Sequence, residues 1–284
     1  MSQKKKGLRL CIIGAGKMAK LVAARALASS LSAPLDICVS RGRKLNLAER
    51  HMLLENFPQC EFAASNREAA ACAAVIVLAV RPDDLEVAAR DLKGVLTSDQ
   101  VVVSIVTGKS LAVLGEALGT QNIVRCCTNI SLEIGRATTL WKAHPGVGSG
   151  MLARARKVLR NWGAAREISK EANLNVGMVA VGSLPALYIE IFAAVERALL
   201  THGMSHDDAK FAALSVGQGT LALCDSQNGR AWSEIQKRVL TPGGITVDML
   251  LVADRGALRA VVIDAIGAAV AKTMKLGQEK GGKS

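Results

Sequence analysis

Aromatic residues are scarce: three Trp, one Tyr and four Phe in 284 residues. Nucleic-acid surfaces that read bases by stacking need aromatic platforms, so this scarcity argues against one despite a formal net charge of +12. Lys and Arg are spread along the chain, and much of the excess sits in tail residues such as Lys4, Lys5, Lys6, Lys275, Lys280 and Lys283. Histidine is also rare. His51, His144, His202 and His206 fall in loop-like or helix-start stretches and are read as surface residues, not catalysts. The seven cysteines contain no C-x-x-C pair, so with so few histidines no metal site is expected. Several cysteines sit inside apolar runs, where the thiol behaves as a small buried hydrophobe. Their odd number, with no secretory signal, points to a reducing compartment. The opening MSQKKKGLRL lacks an apolar signal core. The chain also lacks an uninterrupted apolar run of about 18 residues, so no membrane span is expected. A cytoplasmic location follows, although an organellar matrix fits the same facts.

What remains is aliphatic. Half of the chain is hydrophobic (50%), so the core must be built from Ala, Val, Leu and Ile. That composition suits a parallel sheet wrapped by Ala-rich helices. Short β-branched runs at 8–13, 35–39, 75–80, 101–106, 123–127 and 137–141 read as strands, with an Ala-rich helix over 17–30. Strand and helix in alternation predict a Rossmann-type doubly wound parallel sheet. The character changes near Lys170. Residues 176–200 form one apolar helical pattern, broken only at Gly182-Ser183-Leu184-Pro185. Further helical patterns cover 206–224, 232–240, 245–253 and 258–276. The expected domains are 1–170, binding a dinucleotide, and 171–284, all-helical. Some of the later helices are too apolar for a monomer's surface, which predicts an interface between subunits.

Residues 8–19 read LRLCIIGAGKMA, a buried strand followed by Gly14-Ala15-Gly16-Lys17-Met18-Ala19 and a helix. Gly14 permits the tight turn, Gly16 lets the backbone approach a pyrophosphate, and Ala19 replaces the usual third glycine at the helix–strand contact. The helix N-terminus then points its free N–H groups at the phosphates, so that Ile13, Gly14, Ala15, Gly16, Lys17 and Met18 are the expected cofactor loop. The second strand ends at Ser40-Arg41-Gly42-Arg43, where an NAD enzyme normally carries an acid. Asp36 comes too early in the strand to serve. A hydroxyl beside Arg41 and Arg43 suits a 2′-phosphate, so NADPH is favoured over NADH.

With these motifs in hand, the chain resembles the pyrroline-5-carboxylate reductase family over nearly its whole length. IGAGKMA is similar to that family's cofactor loop, and Ala79-Val80-Arg81-Pro82 to its A-V-K-P segment. The resemblance implies that Asn66 lies near the adenine. It assigns the SIVTG run, with Ile105, Val106 and Thr107, and the Asn129 that ends VRCCTN to the cofactor as well. Arg238 falls where the family often has an Asn that reaches the cofactor. The most specific likeness is Thr241-Pro242-Gly243-Gly244-Ile245-Thr246, which resembles the family's S-P-G-G-x-T signature. It implies a carboxylate cradle made by Gly243, Gly244, Ile245 and Thr246, with Thr246 and Thr241 serving the reaction. Pro and two Gly before a helix independently favour exposed N–H donors and an anion. Glu171 is implied on the substrate side. Two departures concern the substrate: Leu184 and Leu187 stand where the family has a glycine and an aromatic, and Ile130-Ser131 replaces Thr-Pro.

The implied activity is NADPH-dependent reduction of 1-pyrroline-5-carboxylate to L-proline, in a homodimer or higher homo-oligomer. Another cyclic imine, such as a six-membered imino acid, is the alternative that Leu184 and Leu187 motivate. A β-hydroxyacid dehydrogenase would need a catalytic Lys in the first long helix of the second domain, and 176–200 contains none. A non-catalytic NADPH-binding sensor is the reading from outside enzymology.

Overall fold

The computed structural model describes residues 9–29, 37–40, 48, 51, 55, 60–71, 73–227 and 229–278. Arg41, Arg43 and Cys72 lie outside the described residues. The chain divides into two compact units. One ends at Gly182 and takes in the last helix from Val270; the other is Ser183–Ala269.

The first unit is built on eight strands: β1 Leu10–Ile13, β2 Ile37–Ser40, β3 Glu61–Phe62, β4 Val75–Leu78, β5 Val101–Ser104, β6 Ile123–Cys127, β7 Ala137–Ala143 and β8 Gly163–Glu167. They form one sheet in the order β3-β2-β1-β4-β5-β6-β7-β8. Six predicted strands are present, but β4 and β5 end at Leu78 and Ser104, before the loops that follow them turn away. The pairing is parallel except between β6 and β7, which run antiparallel. The expected doubly wound parallel sheet is present, with this one antiparallel pair added. Only a short 3-10 turn, Ile130–Ile134, separates those two strands, too little chain for a parallel crossover. The two-residue β3 and the edge strand β8 were not expected from the sequence. β8 reads Gly-Ala-Ala-Arg-Glu and gives no apolar signal.

Helices α1 Lys17–Ala28, α2 Asn66–Ala71, α3 Leu85–Leu92, α4 Leu111–Leu118 and α5 Ser149–Trp162 cover both faces. Alternate strand residues show why. Leu10, Ile12, Val75, Val77, Val101 and Val103 pack with α1 and α5 on one side. Cys11, Ile13, Ile76, Leu78 and Val102 pack with α2, α3 and α4 on the other. A strand buried on both faces must be apolar throughout, and β1, β4 and β5 are fully buried. The cysteines on these strands serve as core filling. Burial pushes the Cys38 and Cys127 thiols up to about 11. It raises those of Cys11 and Cys126 well above the usual range.

The second unit is helical: α7 Leu184–Thr201, α8 His206–Ser226, α9 Trp232–Lys237, α10 Ile245–Arg255 and most of α11 Leu258–Gln278. Before it, in the first unit, α6 Asn173–Met178 leads into a π-helical turn over Val179–Ser183. That turn coincides with the break expected at 182–185, where Gly182 and Pro185 interrupt the pattern. Ser205 caps α8: its hydroxyl accepts from the Asp208 amide at 3.2 Å and donates to the Asp208 carboxylate at 2.6 Å. α7 and α10 bury no residue. Phe211, Trp232 and Ile245 are 72%, 77% and 87% exposed, far more than a finished apolar core allows. The stretch Asn173–Thr201 is also long and apolar enough to cross a membrane by length and composition alone. No uninterrupted apolar run marks it in the sequence, because Gly182, Pro185, Glu190, Glu196 and Arg197 interrupt it.

Gly163 opens β8 with φ +141°, and a Cβ there would press on the backbone of Arg136 and Ala137. Gly163→Ala is expected to cost about 2–3 kcal/mol, seen as a lower urea midpoint. An unchanged midpoint would contradict this close approach of β7 and β8.

Candidate cofactor and substrate site

The strand order reverses at the centre of the sheet. From β1 the chain proceeds outward to β2 and β3, then returns to place β4 on β1's other side. Loops leaving neighbouring strands at such a point diverge and leave a crevice at their carboxyl ends. Here the diverging loops are 14–16 after β1 and 79–81 after β4, whose strands end in register at Ile13 and Leu78.

Backbone hydrogen bonds carry the strand ladder into these loops. Gly14 donates to Ser40 O at 2.7 Å, Ala79 to Ile13 O at 2.8 Å and Ile105 to Leu78 O at 3.1 Å. Gly14 is buried at φ +117°, and a Cβ on it would sit 2.6 Å from Ala79 O. No other residue can take its place. Gly16 is different: its backbone is extended, and a Cβ there would meet nothing within 4 Å. The space above it is open to a ligand. Gly16 has no side chain to cap α1, and the helix's first turn holds no acid, so its amides face outward uncapped. Ala19 is fully buried against the sheet, the contact for which a small residue is needed.

A cavity of about 370 Å³ brings together Gly14, Ala15, Gly16, Asn66, Ala79, Val80 and Arg81, all expected cofactor residues. Asp84, Val87 and Ala88 also line it. They come from the 3-10 turn Pro82–Asp84 and the start of α3, and only the Pro82-Asp83-Asp84 turn signal foreshadowed them. Arg81 is exposed and its Nε donates to the Asp84 carboxylate at 3.2 Å. Lys17 is exposed and Met18 half-buried beyond the loop. At the adjoining strand end, the buried Ser40 hydroxyl donates to Asn66 Oδ1 at 2.7 Å, and Asn66 Nδ2 donates to the Asp91 carboxylate at 3.0 Å.

Val106 is buried and Thr107 exposed in the loop after β5. Asn129, after β6, has a buried Oδ1 with no hydrogen-bond partner among the described residues. It is an acceptor left for a donor from outside the protein. Together with the open space over Gly16, this fits a bound dinucleotide. Glu171 behaves differently from a free substrate ligand. Its Oε1 accepts from Arg125 Nη1 at 2.8 Å and from the Leu111 amide at 2.7 Å. Arg125 is buried on β6 and also donates to Asn175 Oδ1 at 3.0 Å. This hub joins β6, α4 and α6, and no local sequence pattern signals it.

Arg238 and the Thr241–Thr246 turn belong to the second unit. Arg238 closes α9 and donates to Gln227 Oε1 at 3.4 Å. Gly243 takes φ +69°, and Gly244 caps α10 with extended backbone, donating to Thr241 O at 2.9 Å. The amides of Ile245 and Thr246 have no hydrogen-bond partner among the described residues. Two such donors at the start of an 11-residue helix are the arrangement that attracts an anion.

Residues 171–276 match the pyrroline-5-carboxylate reductase dimerisation family, and residues 9–108 the NADP oxidoreductase, coenzyme F420-dependent family. A pyrroline-5-carboxylate reductase of Synechocystis sp. is 28% identical, covering 96% of this chain and 99% of that protein. The Arabidopsis thaliana pyrroline-5-carboxylate reductase is 28% identical over 94% of each. Among solved structures, the NADP-bound pyrroline carboxylate reductase of Plasmodium falciparum superposes with TM-score 0.83 at 22% identity, covering 96% of this chain and 99% of that one. The Coxiella burnetii pyrroline-5-carboxylate reductase gives 0.82 at 24%, covering 95% and 99%. On the family matches at both ends of the chain and a likeness to such reductases over nearly its whole length, the chain belongs to the pyrroline-5-carboxylate reductase family.

Proposed function

We propose that this chain reduces 1-pyrroline-5-carboxylate to L-proline, the last step of proline biosynthesis, as a cytoplasmic homodimer. The observation that carries the reading is the Thr241–Thr246 turn, two unpartnered amides at a helix start, in a chain that matches such reductases nearly end to end. NADPH, when bound, supplies the hydride. Ile13, Gly14, Ala15, Gly16, Lys17 and Met18 hold its pyrophosphate. Ser40, Arg41 and Arg43 serve the phosphorylated ribose, and Asn66, Ala79, Val80, Arg81 and Pro82 wall the adenosine side. Ile105, Val106, Thr107, Asn129 and Arg238 complete the cofactor set.

Gly243, Gly244, Ile245 and Thr246 take the substrate carboxylate, and the Thr246 hydroxyl orients the ring, with Thr241 bracing the turn. Glu171 supports the substrate side by positioning Arg125 and the start of α4. The imine enters already protonated, so no Lys or His is needed as a general acid. The homodimer forms through the exposed apolar helices of the second unit, which meet a second copy rather than lipid.

Steady-state assay with pyrroline-5-carboxylate is expected to show oxidation of NADPH; no oxidation of NADPH or NADH would end the proposal. Gly16→Val fills the open space over the loop without touching the fold. It should weaken NADPH binding at least about tenfold with the thermal midpoint preserved. Retained affinity would move the cofactor elsewhere. Thr246→Ala is expected to lower kcat/KM by about 10- to 100-fold, the worth of a hydrogen bond to a charged group. Intact imine reduction in that variant would refute the substrate assignment.

A further inference from the structure

The 3-10 turn Ile130–Ile134 links an expected cofactor residue to a left-handed glycine. It starts at Asn129, whose buried Oδ1 has no hydrogen-bond partner among the described residues. It ends at Gly135, which takes φ +69° and donates to Leu132 O at 3.0 Å. Arg136 donates back to Ser131 O at 3.0 Å and Leu132 to Asn129 O at 3.2 Å, so the two ends are tied through the turn. Arg25 of α1 fastens the far end. Its guanidinium lies over the Gly135 α-carbon: a Cβ there would come within 2.6 Å of Cζ, 2.8 Å of Nη2 and 2.9 Å of Nε. Nε also donates to Asn161 O, near the end of α5, at 2.8 Å. Attraction to the helix dipole would account for a cation in α1's last turn. It does not account for a planar group bonded to a second helix and laid on a glycine whose side chain would displace it. Leu132, fully buried in the same core cluster as Val22 and Ala26, completes the turn's attachment to α1.

α1 therefore serves at both ends. Its first turn follows the glycine loop, and its last turn holds the segment that begins with Asn129. β6, which leads to Asn129, lies in the half of the sheet beyond the reversal point. In folds of this kind the other half, at the end of β2, meets the adenosine ribose. On the cofactor site proposed above, Asn129 then faces the nicotinamide half. The donor that a nicotinamide ring carries is its carboxamide N–H, and an unpaired amide oxygen can accept it. We propose that Arg25 is a positioning residue: through Gly135 and the Ile130–Ile134 turn it holds Asn129 Oδ1 as the acceptor for the nicotinamide carboxamide, and so sets the pose of the ring for hydride transfer. The inference rests on the NADPH-dependent reduction proposed above.

Steady-state kinetics with pyrroline-5-carboxylate and NADPH test it. Arg25→Met keeps an unbranched side chain and removes the guanidinium. It should lower kcat about three- to tenfold, the range of one hydrogen bond, and change KM for NADPH less than about twofold, because the phosphate contacts lie elsewhere. Gly135→Ala, which pushes the guanidinium away while leaving Arg25 in the chain, gives a second variant with the same expected split. Asn129→Ala should lower kcat by a similar factor, and in that background neither change should lower it further. Losses that multiply there would mean that Arg25 and Gly135 only stabilise the fold, and would overturn the proposal, as would an unchanged kcat in Arg25→Met. The 3-acetylpyridine analogue of NADPH has no carboxamide N–H, so Arg25→Met and the unsubstituted protein should turn it over equally. A difference of about threefold or more with that analogue would also overturn the proposal. If the unsubstituted protein oxidises no NADPH, the reaction on which the inference rests has failed, an outcome distinct from multiplying losses in an active enzyme.

Discussion

The approach of Gly14 to the Ala79 carbonyl is the constraint on which the cofactor half depends. A side chain at Gly14 would lie 2.6 Å from that oxygen, so only glycine lets the two loops leave adjacent strands this close together. The closeness lets the Gly14 and Ala79 amides extend the ladder to Ser40 and Ile13. Those bonds in turn set the height of Gly16 and the direction of α1. The cavity beside them is thus a consequence of sheet topology: two loops diverge where the strand order reverses, and one glycine fixes where the divergence begins.

A second set of tethers works further along the sheet. Buried Arg125 needs a counter-charge, and Glu171 supplies it while also accepting from the first amide of α4. An unpaired guanidinium at that depth would be costly, so the pair holds three elements to one geometry. β6, whose end leads to Asn129, is thereby tied to the start of α4. The two cofactor loops and this hub share a logic, in which backbone or side-chain bonds pin the segment just before a ligand-facing residue.

Much of this was legible in the sequence because punctuation residues mark it. Gly14 and Gly16 flank a change from strand to helix pattern, Pro82 follows a buried strand, and Pro242 with two glycines precedes an apolar helix. The helices of the second unit were found nearly to their ends for the same reason. What escaped had no local signature. β3 is two residues long, and β8 reads Gly-Ala-Ala-Arg-Glu, with neither alternation nor β-branched residues. The reversed direction of β7 depends on the length of a turn and not on the strand's own composition. The Arg125–Glu171 pair joins residues 46 apart, and hydrogen bonds through Asn66 link Ser40 to Asp91, 51 positions later.

α7 buries none of its 18 residues within the single chain, although it is the most apolar long helix present. For a newly synthesised polypeptide this makes partner encounter part of folding. Cover for that helix would then come from a second chain. Abundance then governs the lifetime of the enzyme as much as sequence does, because dilution returns apolar helices to water. A catalytically dead copy with an intact second unit would still be accepted as a partner, so one damaged allele could draw down the working protein made by a sound one.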